Sequence, residues 1–175
     1  MVSFAAGCSG SEDLGPLGDP AAAQHRIDSL IDGTVKAITP AVTPPQYIGF
    51  FHREERNTFG NDSGYAKVWR EGALEERVSE EKKPVLLDQV EKYWKDQGCT
   101  VDAAKPDGRR VTTSAICPDR AHVMVDTGGS AVSVKAWVEK TKFREGGDPF
   151  PDTQTRPPLA NVAPAGQQDD PYWSH

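Results

Sequence analysis

Cys99 and Cys117 bracket a turn sequence, Lys105-Pro106-Asp107-Gly108-Arg109, and this restricts the fold more than any other stretch of the chain. A Pro-Asp-Gly turn between two extended runs predicts a β-hairpin. Folding Cys99-Thr100-Val101-Asp102-Ala103 and Val111 to Cys117 about that turn brings position 99 to within a residue or two of position 117. Side chains alternate faces along a strand, so Cys99 travels with Val101 and Ala103, and Cys117 with Val111 and Ala115. Both sulfurs then lie on the apolar face, where a disulfide and two buried free thiols are both ordinary outcomes. Either way, the chain must hold an antiparallel sheet at this point.

Two helices are expected beside it. Asp19-Pro20 supplies a capping carboxylate followed by proline at the first helical position. Ile27, Leu30, Ile31, Val35 and Ile38 then recur at helical spacing until Thr39-Pro40 stops the run. Gly33 within it costs about 1 kcal/mol relative to alanine. The second helix has Pro84 near its first turn and Leu86, Leu87, Val90, Tyr93 and Trp94 as its apolar stripe, with Gly98 placed to end it. Asp88 with Lys92 and Glu91 with Lys95 are expected ion pairs four residues apart on its outer side.

The remaining strands follow from alternation. Tyr65, Lys67 and Trp69 share one face of an extended run to Val78, and Ala66, Val68 and Arg70 share the other, with Gly72 expected to mark a bulge or bend. Ala121 to Asp126 and Ala131 to Val138 complete a meander through the turn Thr127-Gly128-Gly129-Ser130. Between Thr43 and Gly64 the pattern is weak. Tyr47 to Phe51 reads as a short strand or an aromatic loop, and His52 to Arg56 as a solvated charged run. The expected architecture is α+β: an antiparallel sheet of about four strands with two helices on one face, in the order α-β-α-β-β-β.

Outside residues 19–143 the composition changes. Residues 9–18 are small, polar and rich in glycine, which suits a flexible tether, so 1–18 lie outside the domain. Residues 144–175 hold Pro149, Pro157, Pro158, Pro164 and Pro171 and read as a disordered tail that cannot bury a core, with Tyr172-Trp173 an incidental sticky end. A net charge of −6 with intermixed signs argues against a nucleic-acid surface. No run reaches the roughly 18 apolar residues of a membrane span.

Catalytic and metal-binding patterns are thin. His25, His52, His122 and His175 lack ligand spacing, so neither a metal nor another cofactor is expected. Asp62-Ser63-Gly64 resembles the nucleophile segment of trypsin-like proteases over three residues, but Asn, Asp, Ser and Gly together are turn formers first. A small hydrolase would have to use His52, Asp62 and Ser63, or His122 with Asp126. The plainer expectation is a non-enzymatic binding module. Its binding face would be Tyr65, Trp69 and Trp137 if the sheet leaves them open, although helices or tail are expected to cover them.

Phe4-Ala5-Ala6-Gly7-Cys8-Ser9-Gly10 places a cysteine after small residues and before a polar tether. Ala6-Gly7-Cys8 is similar to the end of the bacterial lipobox, although Ala5 stands where leucine is usual. Only seven residues precede Cys8 and none is basic, so an export signal would require residues upstream of Met1. With that cysteine, the helix Ile27 to Gly33, the helix end Val90 to Gly98 and the meander after it, the chain resembles putative lipoproteins of actinobacteria. The resemblance implies a lipid on Cys8 and attachment to the outer side of the cell membrane. A protein, peptide or small ligand on the sheet is what the aromatic face, and not the resemblance, leads one to expect. The resemblance also makes the three cysteines even out, since lipidation of Cys8 leaves Cys99 and Cys117 as a pair. Without an anchor, the same domain would be a cytoplasmic interaction module.

Overall fold

A computed structural model of the chain describes residues 15–102, 112–142 and 165–175, the side chains of 46–52, 54 and 62 excepted. Helix α1 (Pro20–Lys36) begins as its sequence demands. Asp19 accepts a hydrogen bond from the Ala22 amide at 3.0 Å, and Pro20 occupies the first helical position. Strands β1 (Gln46–Arg56) and β2 (Asp62–Ala73) form a long hairpin. Helix α2 (Lys83–Asp96) follows, and Gly98 beyond it takes the left-handed conformation, with φ of 76°. Strands β3 (Thr100–Asp102), β4 (Thr112–Ile116), β5 (His122–Asp126) and β6 (Ser133–Lys142) complete the sheet.

All six strands are antiparallel to their neighbours, in the order β1-β2-β6-β5-β4-β3. The class is α+β, but the sheet holds six strands where about four were expected, and the element order is α-β-β-α-β-β-β-β. The strand outside the expected set is β1, where a short strand or an aromatic loop was expected; β3 is the first arm of the expected hairpin. Gln46–Arg56 looked patternless because its apolar residues occupy both parities and its charged ones follow in a block. It is held as a strand by pairing with β2. Gly72 makes no bulge against β6, lying opposite Val134 in register. The irregularity falls instead between Ala66 and Val68, where Glu139 and Lys140 of β6 stand against Lys67 alone.

Both helices cover one face. Ala66, Val68, Ala115, Val123, Val125, Val134 and Ala136 are buried there under Ile27, Leu30, Ile31, Leu86 and Val90, within one core. The helices meet each other through small groups. The Tyr93 hydroxyl rests on Gly33, where an added Cβ would come within 1.9 Å of it, which explains a glycine in mid-helix. The Trp94 indole N–H donates to Thr34 Oγ1 at 2.9 Å, and that hydroxyl donates to the Leu30 carbonyl at 2.7 Å, so both buried polar groups are satisfied. Outside the helix pair, Lys92 is bonded to Asp96 at 2.6 Å and not to Asp88, while Glu91 and Lys95 stand 3.6 Å apart.

The two flanks contribute more than expected. Leu17, in a 3₁₀ turn at Pro16–Gly18, is buried against the sheet, so the tether joins the domain before Asp19. The tail also returns. Residues 165–175 pack beside 74–79, and Trp173 is completely buried in the core with its indole N–H donating to the Pro40 carbonyl at 3.0 Å. The expectation of disorder through residue 175 therefore fails for this stretch, where a buried tryptophan acts together with main-chain hydrogen bonds to residues 74–79 to order a short peptide. Cys8 and the turn 105–109 lie outside the described residues, as does the body of the tail.

Cys99 and Cys117 form a disulfide, and both are buried. Thr100 lies opposite Ile116, so one further step along each strand brings the two cysteines face to face. The bond spans a sequence separation of 18 residues. Replacing both cysteines by alanine is expected to lower stability by about 3 kcal/mol on chain-entropy grounds. A urea denaturation midpoint unchanged by the double substitution would contradict that assignment.

Candidate functional site

With both helices on one side, the other face of the sheet is left to solvent and to itself. Alternation places Tyr65, Lys67, Trp69 and Glu71 of β2 on it, with Ser133, Lys135, Trp137 and Glu139 of β6 and His122, Met124 and Asp126 of β5. All of these are half-buried or exposed, whereas their strand neighbours are buried beneath the helices. The two helices lie on the opposite face from Tyr65, Trp69 and Trp137, which are half-buried; the body of the tail, the other expected cover, lies outside the described residues. The covered parity is made of Ala and Val, the small residues on which a helix can lie.

Cross-strand register builds a row. Trp69 lies opposite Trp137, Trp137 opposite His122, and His122 opposite Ile116. The His122 and Trp137 rings stack at 4.9 Å with an interplanar angle of 14°. The Trp137 indole N–H donates to Glu139 Oε1 at 2.5 Å, and the Lys67 ammonium donates to the same oxygen at 2.9 Å. Lys67 also stands 5.0 Å from the Trp137 ring, Lys135 stands 5.2 Å from the Trp69 ring, and Lys140 lies 6.0 Å from that of Tyr65. Tyr65, Trp69 and Trp137 therefore each carry a lysine. Ile116, with 51% of its surface exposed, is the bare apolar end of the row.

Charge and burial shape this cluster. Burial lowers the His122 pKa, as does the Lys67 ammonium, while the Glu139 charge opposes them. For Glu139, burial alone would raise the pKa. Hydrogen bonds from Lys67 and Trp137, with the Lys67 and His122 charges, outweigh it and hold the carboxyl below its ordinary range. A hollow of about 640 Å³ opens next to this cluster, lined by Arg53, Glu55, Arg56, Lys67 and Glu139. A second, of about 400 Å³, lies by α1 and α2 and includes His25, Asp28, Asp32 and Tyr93. There burial pushes Asp28 upward while Arg70, 2.9 Å away, pulls it down.

The two expected hydrolytic groupings do not assemble. His52 is in register with Val68, five residues along β2 from Ser63, or about 16 Å of extended chain. Ser63 Oγ accepts from the Tyr65 amide at 3.3 Å, as a turn residue does. His122 and Asp126 sit four residues apart on one strand, about 13 Å; the first is engaged by Trp137, and the second caps the Gly128 amide at 2.8 Å. Among the described residues no three His, Cys, Asp or Glu side chains are grouped to hold a metal ion. No helix among them is long and apolar enough to cross a membrane. Compared with known proteins, the chain matches no family model, no curated protein and no solved structure.

Sequence reading named Tyr65, Trp69 and Trp137 but missed Lys67, Lys135, Glu139, Ile116 and the stacking role of His122. The signal available was parity, because lysine and glutamate alternate with the buried Val and Ala on both β2 and β6. Since the His122 pKa is lowered on folding, the unfolded chain binds the proton more readily. Stability is therefore complete above about pH 6.5 and declines as pH falls from there through the depressed folded value. The His122 ring is expected to titrate by NMR below 6.5, and His122→Gln should flatten the fall in urea midpoint between pH 7 and 5. An His122 midpoint at or above 6.5 would refute this placement.

Proposed function

We propose that this chain is a non-enzymatic, extracytoplasmic binding module, anchored to the cell membrane by lipid on Cys8, whose open sheet face receives a protein or peptide partner. The single observation carrying the binding role is the row Trp69, Trp137, His122 and Ile116 on the face away from the helices, half-buried at the rings and exposed at Ile116, set among lysines and glutamates. Large rigid aromatics with a polar surround are the composition of contact surfaces. The buried Cys99–Cys117 bond supports the location, since structural disulfides persist in oxidising compartments. Pairing those two sulfurs leaves Cys8 as the remaining thiol of the three.

Two measurements in the native host test the reading. Mass spectrometry of the mature protein should find diacylglycerol on Cys8, and Cys8→Ala should move the protein from the membrane to the soluble fraction. A photo-crosslinking residue at Ile116 should give a discrete adduct that Trp69→Ala with Trp137→Ala reduces at least about ten-fold, the loss of two anchor residues at more than 1 kcal/mol each. The same crosslinker at Asp88, on the outer side of α2, serves as the control. Adducts no stronger from the sheet face than from the helix would sink the binding role; an unmodified Cys8 would sink the anchor.

A further inference from the structure

The last eleven residues are built like a docked peptide. A row of hydrogen bonds joins them to the body. Gly166 N donates to the Leu74 carbonyl, Gln168 N to that of Glu75, and Arg77 N to that of Gln168, each at 2.9 Å. Ser79 N donates to the Trp173 carbonyl at 2.8 Å, Ser174 Oγ to the Arg77 carbonyl at 2.8 Å, and the Trp173 indole to the Pro40 carbonyl at 3.0 Å. Main-chain pairing along one edge, with an aromatic anchor sunk in a socket, is how extended peptides are recognised.

Further contacts add selectivity. Asp169 pairs with Arg77, and the Lys82 ammonium lies 3.7 Å from the Tyr172 ring. Gly166 passes so close to the Ser130 carbonyl that a Cβ there would come within 2.1 Å of it. The peptide also folds locally. Asp170 Oδ1 accepts from the Tyr172 and Trp173 amides, both at 2.8 Å, and the Asp170 amide donates to Ser174 Oγ at 2.9 Å. These bonds lie within the segment itself, so its local turn travels with the peptide and is not built by the groove.

Lys142 lies at the far end of β6 from Ser133, while Gly166 touches Ser130 and Ala131, so a direct connection must cross about 30 Å. The twenty-two residues between Lys142 and Ala165 can extend to about 75 Å. The socket therefore accepts its peptide without dictating which chain supplies it. We propose that the groove between Leu74 and Ser79, with the socket at Pro40, is a peptide-binding site that takes residues 165–175 of a second copy of this chain in exchange for its own.

The test uses the full chain carrying Trp173→Ala, whose groove is intact and whose own anchor is missing, and a fluorescent synthetic peptide of residues 165–175. The peptide is expected to bind it saturably, at least about ten-fold more tightly than it binds the wild-type chain, where the tethered tail competes at millimolar effective concentration. The same peptide with Gly166→Val should not bind. If the variant is unfolded alone, the unaltered peptide should restore a cooperative thermal transition and the Gly166→Val peptide should not. No binding and no restoration would overturn the peptide site. A second chain, with eighteen of the twenty-two connecting residues deleted, cannot dock its own tail, because five steps reach about 18 Å. Light scattering should find it dimeric. A monomer would overturn the exchange between copies.

Discussion

One-sided cover of the sheet governs the rest of this structure. Strands β2, β4, β5 and β6 present small apolar residues on one parity, and the apolar stripes of two amphipathic helices bury that parity. A half-covered antiparallel sheet is stable where the second face can be wet. The consequence is that everything on the opposite parity must remain acceptable to water while still packing across strands. The chain meets that demand by setting lysine or glutamate beside each aromatic. On β2 the order is Tyr65, Lys67, Trp69, Glu71, and on β6 it is Lys135, Trp137, Glu139.

The helix layer shows the same economy of polar groups. Arg70 points to the covered side, where a lone charge would be costly, and Asp28 of α1 lies 2.9 Å from it. Thr34 satisfies Trp94 and is itself satisfied by Leu30. Gln89 clamps the chain leaving α1, donating to the Thr39 carbonyl and accepting from the Thr39 amide, both at 2.8 Å. These contacts fix α2 against α1. The disulfide then joins the chain just beyond α2 to the end of β4, so the short β3 is held at an edge that three residues of pairing would hold poorly.

How much of this was legible depends on whether the signal was local. Asp19-Pro20 and the stripe from Ile27 to Val35 carry α1 in the sequence itself, and Leu86 to Trp94 carry α2. The cysteine pair was readable because a turn and two alternating runs fix register to within a residue. By contrast, Gln46–Arg56 has no alternation of its own and becomes a strand through pairing with β2. Trp173 lies in a tail whose proline content argues against order, and its burial depends on a socket assembled from Pro40 and residues 74–79, about a hundred positions away. The open aromatic face falls between these cases. Parity showed which residues share a side; the lysines and glutamates among them were the signal that this side faces water, and the expectation that helices or tail cover it passed over that signal.

The lysine over each ring also bears on what the face can do. An uncovered row of two tryptophans and an isoleucine would be a self-association hazard. A cation over a ring at an exposed site contributes only about 0.5 to 1 kcal/mol, so it hides the ring from casual contact but yields to a partner that offers more. Trp137 is held by His122 on its ring, Lys67 nearby and Glu139 on its N–H. Ile116, at the end of the same row, has half of its surface exposed. A partner can therefore gain contact area on Ile116, with Trp137 already held in position along the row and no reorganisation of the sheet required.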